Sequence, residues 1–390
     1  MTAERKSVLD IVILTGGEAF DEIQSEWNEL HLASEATVFQ SHAWLRTWWR
    51  HFGEDFPFRE LHVVLVRQNG KLVGSAPFFI EAKRISTLAS TKELRFIGEG
   101  LTDYNDLLLE PGSARASLEA VADHIASLWK KIDAIHLPEI PDGSPTAVRL
   151  PGNLRDAGVN VSTEQCDKCP RLELRDTWAA TLAALHGDKK RQLQKKCRQL
   201  SESHTVVFET IADPSDLEQA MADFIGMHQR RMEESGKTGV FSNPRNEAFI
   251  RDLSADFLNR GWLFLSFLRI NGRRVAATFS YLFKDRVLFH MAGLGDAGDA
   301  RKHSPGIVLH AFCMQEAIRR CAVTYDFLRG TEEYKYRLGA ADFPNWSISA
   351  RRIRPHIRIL GFVGSMLGRM RRVMVPCALR TNASRSCHMC

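Results

Sequence analysis

Apolar positions along the chain recur at two spacings, and the order in which the spacings alternate is itself a pattern. A strand-like run at 11–14 opens it. Phe20, Ile23, Trp27 and Leu30 then fall three or four residues apart, which is one face of a helix, and predict a helix over 18–31. Trp44, Leu45, Trp48, Trp49 and Phe52 predict a second, aromatic helix over 43–52. Two β-rich runs follow at 61–67 and 72–79, separated by Gln68-Asn69-Gly70-Lys71. Asn-Gly accepts the two positive-φ positions of the tight turn whose twist matches paired strands, so this is a predicted hairpin. The half closes with a strand at 94–97, the polar motif Thr102-Asp103-Tyr104-Asn105-Asp106, a strand at 107–109, a helix at 114–130 and a strand at 134–137.

Between 138 and 170 lie five prolines among Gly, Asp and Asn, a composition that predicts a boundary, with a strand over 158–163 inside it. The order then repeats. Helix 181–203, strand 206–210 and helices 214–233 and 246–259 lead into strands 262–270 and 275–283, joined by Asn271-Gly272-Arg273-Arg274. A strand at 286–294, a helix at 306–320 and a strand at 324–328 complete it. Helices, an Asn-Gly hairpin and strand–helix–strand occur twice, which predicts two copies of one α/β unit side by side.

Composition narrows the class. With 390 residues, 44% hydrophobic and 25% charged, the chain buries a core and has the length of two domains. No run approaches the ~18 apolar residues of a membrane span, and residues 1–10 carry Glu4, Arg5, Lys6 and Asp10 with no apolar stretch behind them. A cytoplasmic protein is therefore expected. The net charge of +5 is uneven: nine Arg and no acid lie between Phe343 and Cys390, leaving 43 Lys and Arg against 47 Asp and Glu elsewhere. An acidic body does not wrap DNA. Eight cysteines fit a reducing compartment, and the CxxC pairs Cys166–Cys169 and Cys387–Cys390 are too far apart in the chain to predict a metal site.

The tail has a pattern of its own. At about 100° per residue, Ile359, Phe362, Val363, Met366, Leu367, Met370, Val373 and Met374 share one arc of about 140°, with Arg358, Arg369, Arg371 and Arg372 outside it. The expectation over 357–375 is an interfacial helix on an anionic membrane surface at the inner face of the membrane, or a helix packed on the second unit.

Several runs resemble a known family. Arg273 to Phe283, the strand into Leu294-Gly295, the turn Ser304-Pro305-Gly306 into a helix, and above all Tyr325-Asp326-Phe327-Leu328-Arg329-Gly330-Thr331-Glu332-Glu333-Tyr334-Lys335 resemble the FemAB-related branch of the GNAT acyltransferases. Within it the chain is most similar to the acetyltransferase-like cellulose-biosynthesis accessory proteins. Phe39-Gln40-Ser41-His42-Ala43-Trp44-Leu45 and Gly70-Lys71-Leu72-Val73-Gly74-Ser75-Ala76-Pro77 resemble the N-terminal unit of that family. The resemblance implies an α/β fold (α+β, GNAT-like) of two tandem units with mixed, mostly antiparallel sheets: an N-terminal unit over 1–165, an acyltransferase unit over 171–350, and the basic tail over 351–390. It implies transfer of an acyl group to an amine in envelope or exopolysaccharide metabolism, from acyl-CoA (acetyl-CoA) and without a metal. Its alternatives are Fem-type aminoacyl transfer from tRNA to a peptidoglycan precursor, and a non-catalytic partner of a polysaccharide synthase. The acceptor is a small-molecule or glycan-linked amine.

Such a transfer needs donors for the pyrophosphate, polarisation of the thioester carbonyl and a group that takes the amine's proton. Arg301, Lys302, Ser304 and Gly306 stand at the start of the helix 306–320, where free N–H groups and the helix dipole favour an anion. Asp326 sits mid-strand among apolar neighbours, so it needs a partner. It orients Arg329 or Lys335, acts as the base, or forms a structural ion pair. Lys335 is a candidate oxyanion or phosphate ligand, Tyr334 a candidate proton donor to the leaving thiolate, and Glu332 the first candidate base ahead of Glu333 and Asp326. On the basic helix Arg191, Lys195 and Arg198 fall within about 60° of arc, opposite Leu193, Cys197 and Leu200. That stripe is a solvated face, or it faces a cleft and binds a diphosphate as the resemblance implies. Arg329 joins Arg191 and Lys195 as a substrate-binding candidate, whereas His290 and Trp262 fit core strands.

Overall fold

The structure is a computed structural model and describes residues 9–86 and 89–352. The tail helix expected over 357–375 and the Cys387–Cys390 pair lie outside the described residues. The first half runs β1 (Leu9–Leu14), α1 (Gly17–Glu22), α2 (Gln24–Ala33), α3 (His42–Phe52), β2 (Arg59–Gln68), β3 (Lys71–Ser86), β4 (Ala89–Phe96), β5 (Leu108–Leu109), α4 (Ala114–Leu128), β6 (Ala134–Pro141), α5 (Pro145–Asp156) and β7 (Ser162–Lys168). The second runs β8 (Arg171–Glu173), α6 (Trp178–Ala184), α7 (Lys189–Ser203), β9 (Val206–Thr210), α8 (Pro214–Glu234), α9 (Pro244–Asn259), β10 (Leu263–Ile270), β11 (Arg273–Phe283), β12 (Arg286–Leu294), α10 (Pro305–Arg319), β13 (Thr324–Asp326), α11 (Glu333–Arg337) and β14 (Pro344–Arg351).

Both Asn-Gly hairpins form as their residues dictate. Asn69 and Gly70 have φ of 51° and 84°, Asn271 and Gly272 of 50° and 82°. Each hairpin also carries a register shift at the same place, after Val66 in one and after Leu268 in the other.

The two sheets repeat one order. In the first it is β1-β2-β3-β4-β6-β14-β7, and in the second, from the same edge, β9-β10-β11-β12-β13-β8. In each, a crossover helix (α4 or α10) returns the chain to a parallel neighbour, β6 beside β4 and β13 beside β12. In the first sheet the next strand comes from the second half, as β14 inserts antiparallel between β6 and β7, whereas in the second sheet β8, at the start of that half, pairs antiparallel with β13. The second half thus completes the first half's sheet.

Three expected elements differ. The helix over 18–31 breaks at Ile23 into α1 and α2, and that over 181–203 breaks into α6 and α7 around Gly187, whose φ of 60° ends a helix. The proline-rich stretch 138–170 is structured. Pro145 starts α5 after the N-cap Ser144, whose hydroxyl accepts from Ala147 N–H at 3.1 Å, and β6 extends to Pro141. Residues 344–351, grouped by sequence with the second half, lie in the first sheet.

The halves share a core. Trp44 of the aromatic helix α3 packs edge-on to Phe249 of α9 at 5.2 Å and to Tyr281 of β11 at 5.8 Å, all fully buried. Separate cores fill the first unit around Leu118, Ile135 and Ile348 and the second around Val308, Tyr325 and Phe327.

Candidate active site at the junction of the sheets

β12 and β13 pair over only three residues, ending at Leu288 opposite Asp326, and β12 continues alone on that side to Leu294. A register shift against β11 at Phe279–Ser280 places a bulge at His290, just past the last pair. Two neighbouring parallel strands that part in this way leave backbone groups and a gap between them. The helix that follows β12 in the chain is α10.

The polar motif of the first half meets the strand end of the second at this place. Asp326, fully buried, accepts from Tyr104 Oη at 2.9 Å and from Leu328 N–H at 2.9 Å and pairs with Arg171 Nε at 3.0 Å. Burial pushes the Asp326 carboxyl up and the Arg171 guanidinium pulls it back, with the net still upward. Arg171 lies between the rings of Phe343 and Tyr104, at 4.6 and 5.2 Å from their centres. Arg329 bridges the halves as well, from Nε to Asp103 Oδ1 at 2.5 Å and from Nη1 to Glu139 Oε1 at 3.1 Å. Asp103 also faces His290 Nε2 at 3.5 Å. Burial holds the His290 imidazole below its ordinary value. The predicted partner for Asp326 therefore exists, but it is Arg171, rather than Arg329 or Lys335.

Lys335 is 2% exposed, and its ammonium donates to the carbonyls of Leu328, Arg329 and Gly330 at 3.3, 2.7 and 3.0 Å and pairs with Glu332 Oε2 at 2.9 Å. It clamps a tight turn. Leu328 there has φ of 53°, a strained value for a γ-branched residue, and Gly330 has φ of 107°. Glu332 is half-exposed; burial raises its carboxyl, but the Lys335 hydrogen bond prevails and holds it below the usual range. Tyr334 stacks on His310 at 5.5 Å, and burial pushes its phenol up, so it keeps its proton.

The donor candidates gather at the start of α10. Ser304, with φ of 57°, precedes it and accepts from Lys196 Nζ of α7 at 2.8 Å. Open space lies where a Gly306 Cβ would project. Arg301 is exposed and pairs with Glu234 at 2.7 Å, and Lys302 is exposed beside it. On α7, Arg191 pairs with Asp188 at 2.9 Å and is 81% exposed, and Lys195 is exposed too, so the stripe that reaches α10 passes through Lys196. The structure thus gathers Asp326, Arg329, Glu332, Tyr334 and Lys335 at one strand end and Arg301, Lys302, Ser304 and Gly306 at one helix start, and leaves Arg191 and Lys195 in solvent.

Arg171, Glu139 and Lys196 had no role in the sequence reading. Arg171 follows Pro170 in what reads as a linker, and Glu139 sits between prolines. The signal that was present is the pair of acids in Thr102-Asp103-Tyr104-Asn105-Asp106. Among the described residues no group of three or more His, Cys, Asp or Glu can hold a metal ion, and no helix is long and apolar enough to cross a membrane.

Residues 187–336, from the start of α7 to the end of α11, match the family model described as "Acetyltransferase (GNAT) domain". FemX has a similar structure, with a TM-score of 0.60 at 11% identity over 90% of this chain and 100% of that one. The fold is GNAT-like. The C-terminal domain of a putative lysylphosphatidylglycerol synthetase from Agrobacterium fabrum shares it, with a TM-score of 0.52 at 11% identity over 94% and 100% of the two chains. So does L-PGS from Bacillus licheniformis, at 0.50 and 10% over 89% and 96%. No curated protein matches the sequence. In the GNAT-like frame the parting of β12 and β13 and the start of α10 both fall inside the matched segment, in the second unit.

Proposed function

We propose that the chain is a GNAT-type acyltransferase that moves an acyl group from an acyl-CoA thioester to an amine at the parting of β12 and β13. The observation that carries this reading is the coincidence of the acetyltransferase-domain match with that opening and with the start of α10. At the start of α10 the Gly306 N–H with Lys196 and Lys302 suits the pyrophosphate of the donor, since Pro305 has no N–H and those of Ile307 and Val308 go to the Ser304 carbonyl. The amine attacks the acyl carbon, the C–N bond forms, the C–S bond breaks, and the thiolate leaves with the electron pair. The buried network of Asp326, Arg171, Tyr104, Arg329 and Asp103 holds the two units in fixed relation around that point, and Lys335 fixes the turn from which Arg329 reaches across. By the resemblance to the cellulose-biosynthesis accessory proteins, the acceptor is an amine of envelope or exopolysaccharide metabolism.

The test is transfer from radiolabelled acetyl-CoA to an amine, run beside transfer from a charged tRNA. Label transferred from acetyl-CoA supports the reading. Transfer only from tRNA replaces it with Fem-type aminoacylation, and transfer from neither with a non-catalytic partner.

A further inference from the structure

On the other side of the Tyr104–Asp326–Arg171 contact lies a cleft of about 680 Å³, walled by the first unit on one side and by the β11–β12 turn of the second on the other. Leu288, the last residue of β12 paired with β13, is part of its wall, so the cleft reaches the strand pair just before it parts. Asp106, the final acid of the Thr102–Asp106 motif, lines it. Its Oδ1 accepts from Leu107 N–H at 2.8 Å, and Ser144 and Thr146 at the start of α5 place their hydroxyls near the same carboxyl.

The charge in the cleft selects its ligand. Arg171 is the buried cation of the inner wall, and Asp326 neutralises it at 3.0 Å. Asp106 is met by hydroxyls and one N–H. The other charged groups facing the cleft are Glu35, from the loop after α2, Asp142, which accepts from Trp346 at 2.7 Å, and Lys284, Asp285 and Arg286 of the β11–β12 turn, with the Lys284 ammonium donating to the Ser34 carbonyl. An uncompensated carboxyl in a half-enclosed wall favours a ligand with N–H groups to give, as a neutral amine has.

We propose that this cleft takes the acceptor amine and that Asp106 receives the proton the amine sheds as it attacks the acyl carbon. The proposal rests on the acyl-transfer reading and adds the site and the base to it. As the C–N bond forms, the proton passes from nitrogen to the Asp106 carboxylate and then to water, and the departing thiolate takes a proton from solvent. Burial pushes the Asp106 carboxyl up to about 6, which leaves it ionised at neutral pH and basic enough to serve. The hydroxyls of Ser144, the N-cap of α5, and of Thr146 then keep the carboxyl facing the cleft.

The experiment compares the full chain with Asp106→Asn and, at the exposed end of α5 outside the cleft, Asp156→Asn. The Asn oxygen still accepts from Leu107 but takes up no proton, so the fold is kept while the base is lost. Calorimetry with acetyl-CoA, acetylation of glucosamine, L-lysine and spermidine between pH 5 and 8, and amine-dependent thermal shifts are measured on each. Expected are equal acetyl-CoA binding in all three proteins and a rate loss of about 10²–10⁴-fold in Asp106→Asn. The fall in rate below about pH 6 disappears with it, while Asp156→Asn stays within about twofold. If acetyl-CoA binds and Asp106→Asn keeps both its rate and its acid limb, the proposal falls alone. If acetyl-CoA binds but none of the three amines is acetylated or shifts the melting temperature, the cleft is not an amine site and the proposal falls. If no protein binds acetyl-CoA, the acyl-CoA reading falls and takes the proposal with it.

Discussion

Replacing Ile348 by Ala tests the exchange of β14 into the first sheet at a single buried position. Ile348 lies in β14, fully buried, opposite Leu137 of β6 on one side and Thr163 of β7 on the other, and packs in the core of the first unit although nearly the whole second half precedes it in the chain. Truncating a buried Ile costs about 2–5 kcal/mol, depending on how far the site collapses. Here strands on both sides hold the backbone in place, so the upper part of that range applies, about 3–5 kcal/mol. For a unit of this size that is a fall in melting temperature on the order of 10 °C. Hydrogen exchange read by mass spectrometry locates the damage. Peptides covering β6 and β7 lose protection, and those covering β12 and β13 keep it. Protection lost around β12 and β13 with β6 and β7 unchanged would refute the exchange.

Tyr104→Phe removes the hydroxyl that donates to Asp326 and lowers the unfolding free energy by about 1–3 kcal/mol, read from the urea midpoint; an unmoved midpoint means the bond holds nothing. Lys335→Met strands three carbonyls and the Glu332 carboxylate, so any loss of activity comes with a loss of about 3 kcal/mol or more in stability. Inactivation at an unchanged midpoint would instead put the ammonium on the substrate. Burial holds His31 and His62 near pKa 4 in the fold, below their ordinary 6.5. The unfolded chain therefore binds more protons between those values, so stability is present above about pH 6.5 and is lost as pH falls toward 4. His31→Gln flattens that slope in acid titrations followed by fluorescence, and an unaltered slope shows that His31 does not contribute to it.

The repeat was readable from the sequence because it is written in local chemistry. Asn69-Gly70 and Asn271-Gly272 specify their turns within four residues, and the apolar spacing of α3 and α8 specifies which face is buried. What needs distance was not readable. β14 pairs with β7 across some 180 residues of chain and β8 with β13 across some 150, and nothing in Arg171-Leu172-Glu173 distinguishes a strand from a linker. For the same reason Asp326 announced that it needed a partner but not which one. Pro145 reads as a breaker until Ser144 before it is recognised as the N-cap that turns a proline into a helix start. Lys335 was noticed for its chemistry, and its burial over three carbonyls follows from the left-handed turn at Leu328, which sequence spacing does not encode.

Calorimetric titration of acetyl-CoA into the full chain tests the acyl-transfer account most directly. The account predicts one acetyl-CoA per chain, with binding at least about tenfold weaker, or about 1.4 kcal/mol, in Gly306→Leu, whose side chain fills the open space at the start of α10. No binding by the unaltered chain, or equal binding by both proteins, would contradict it.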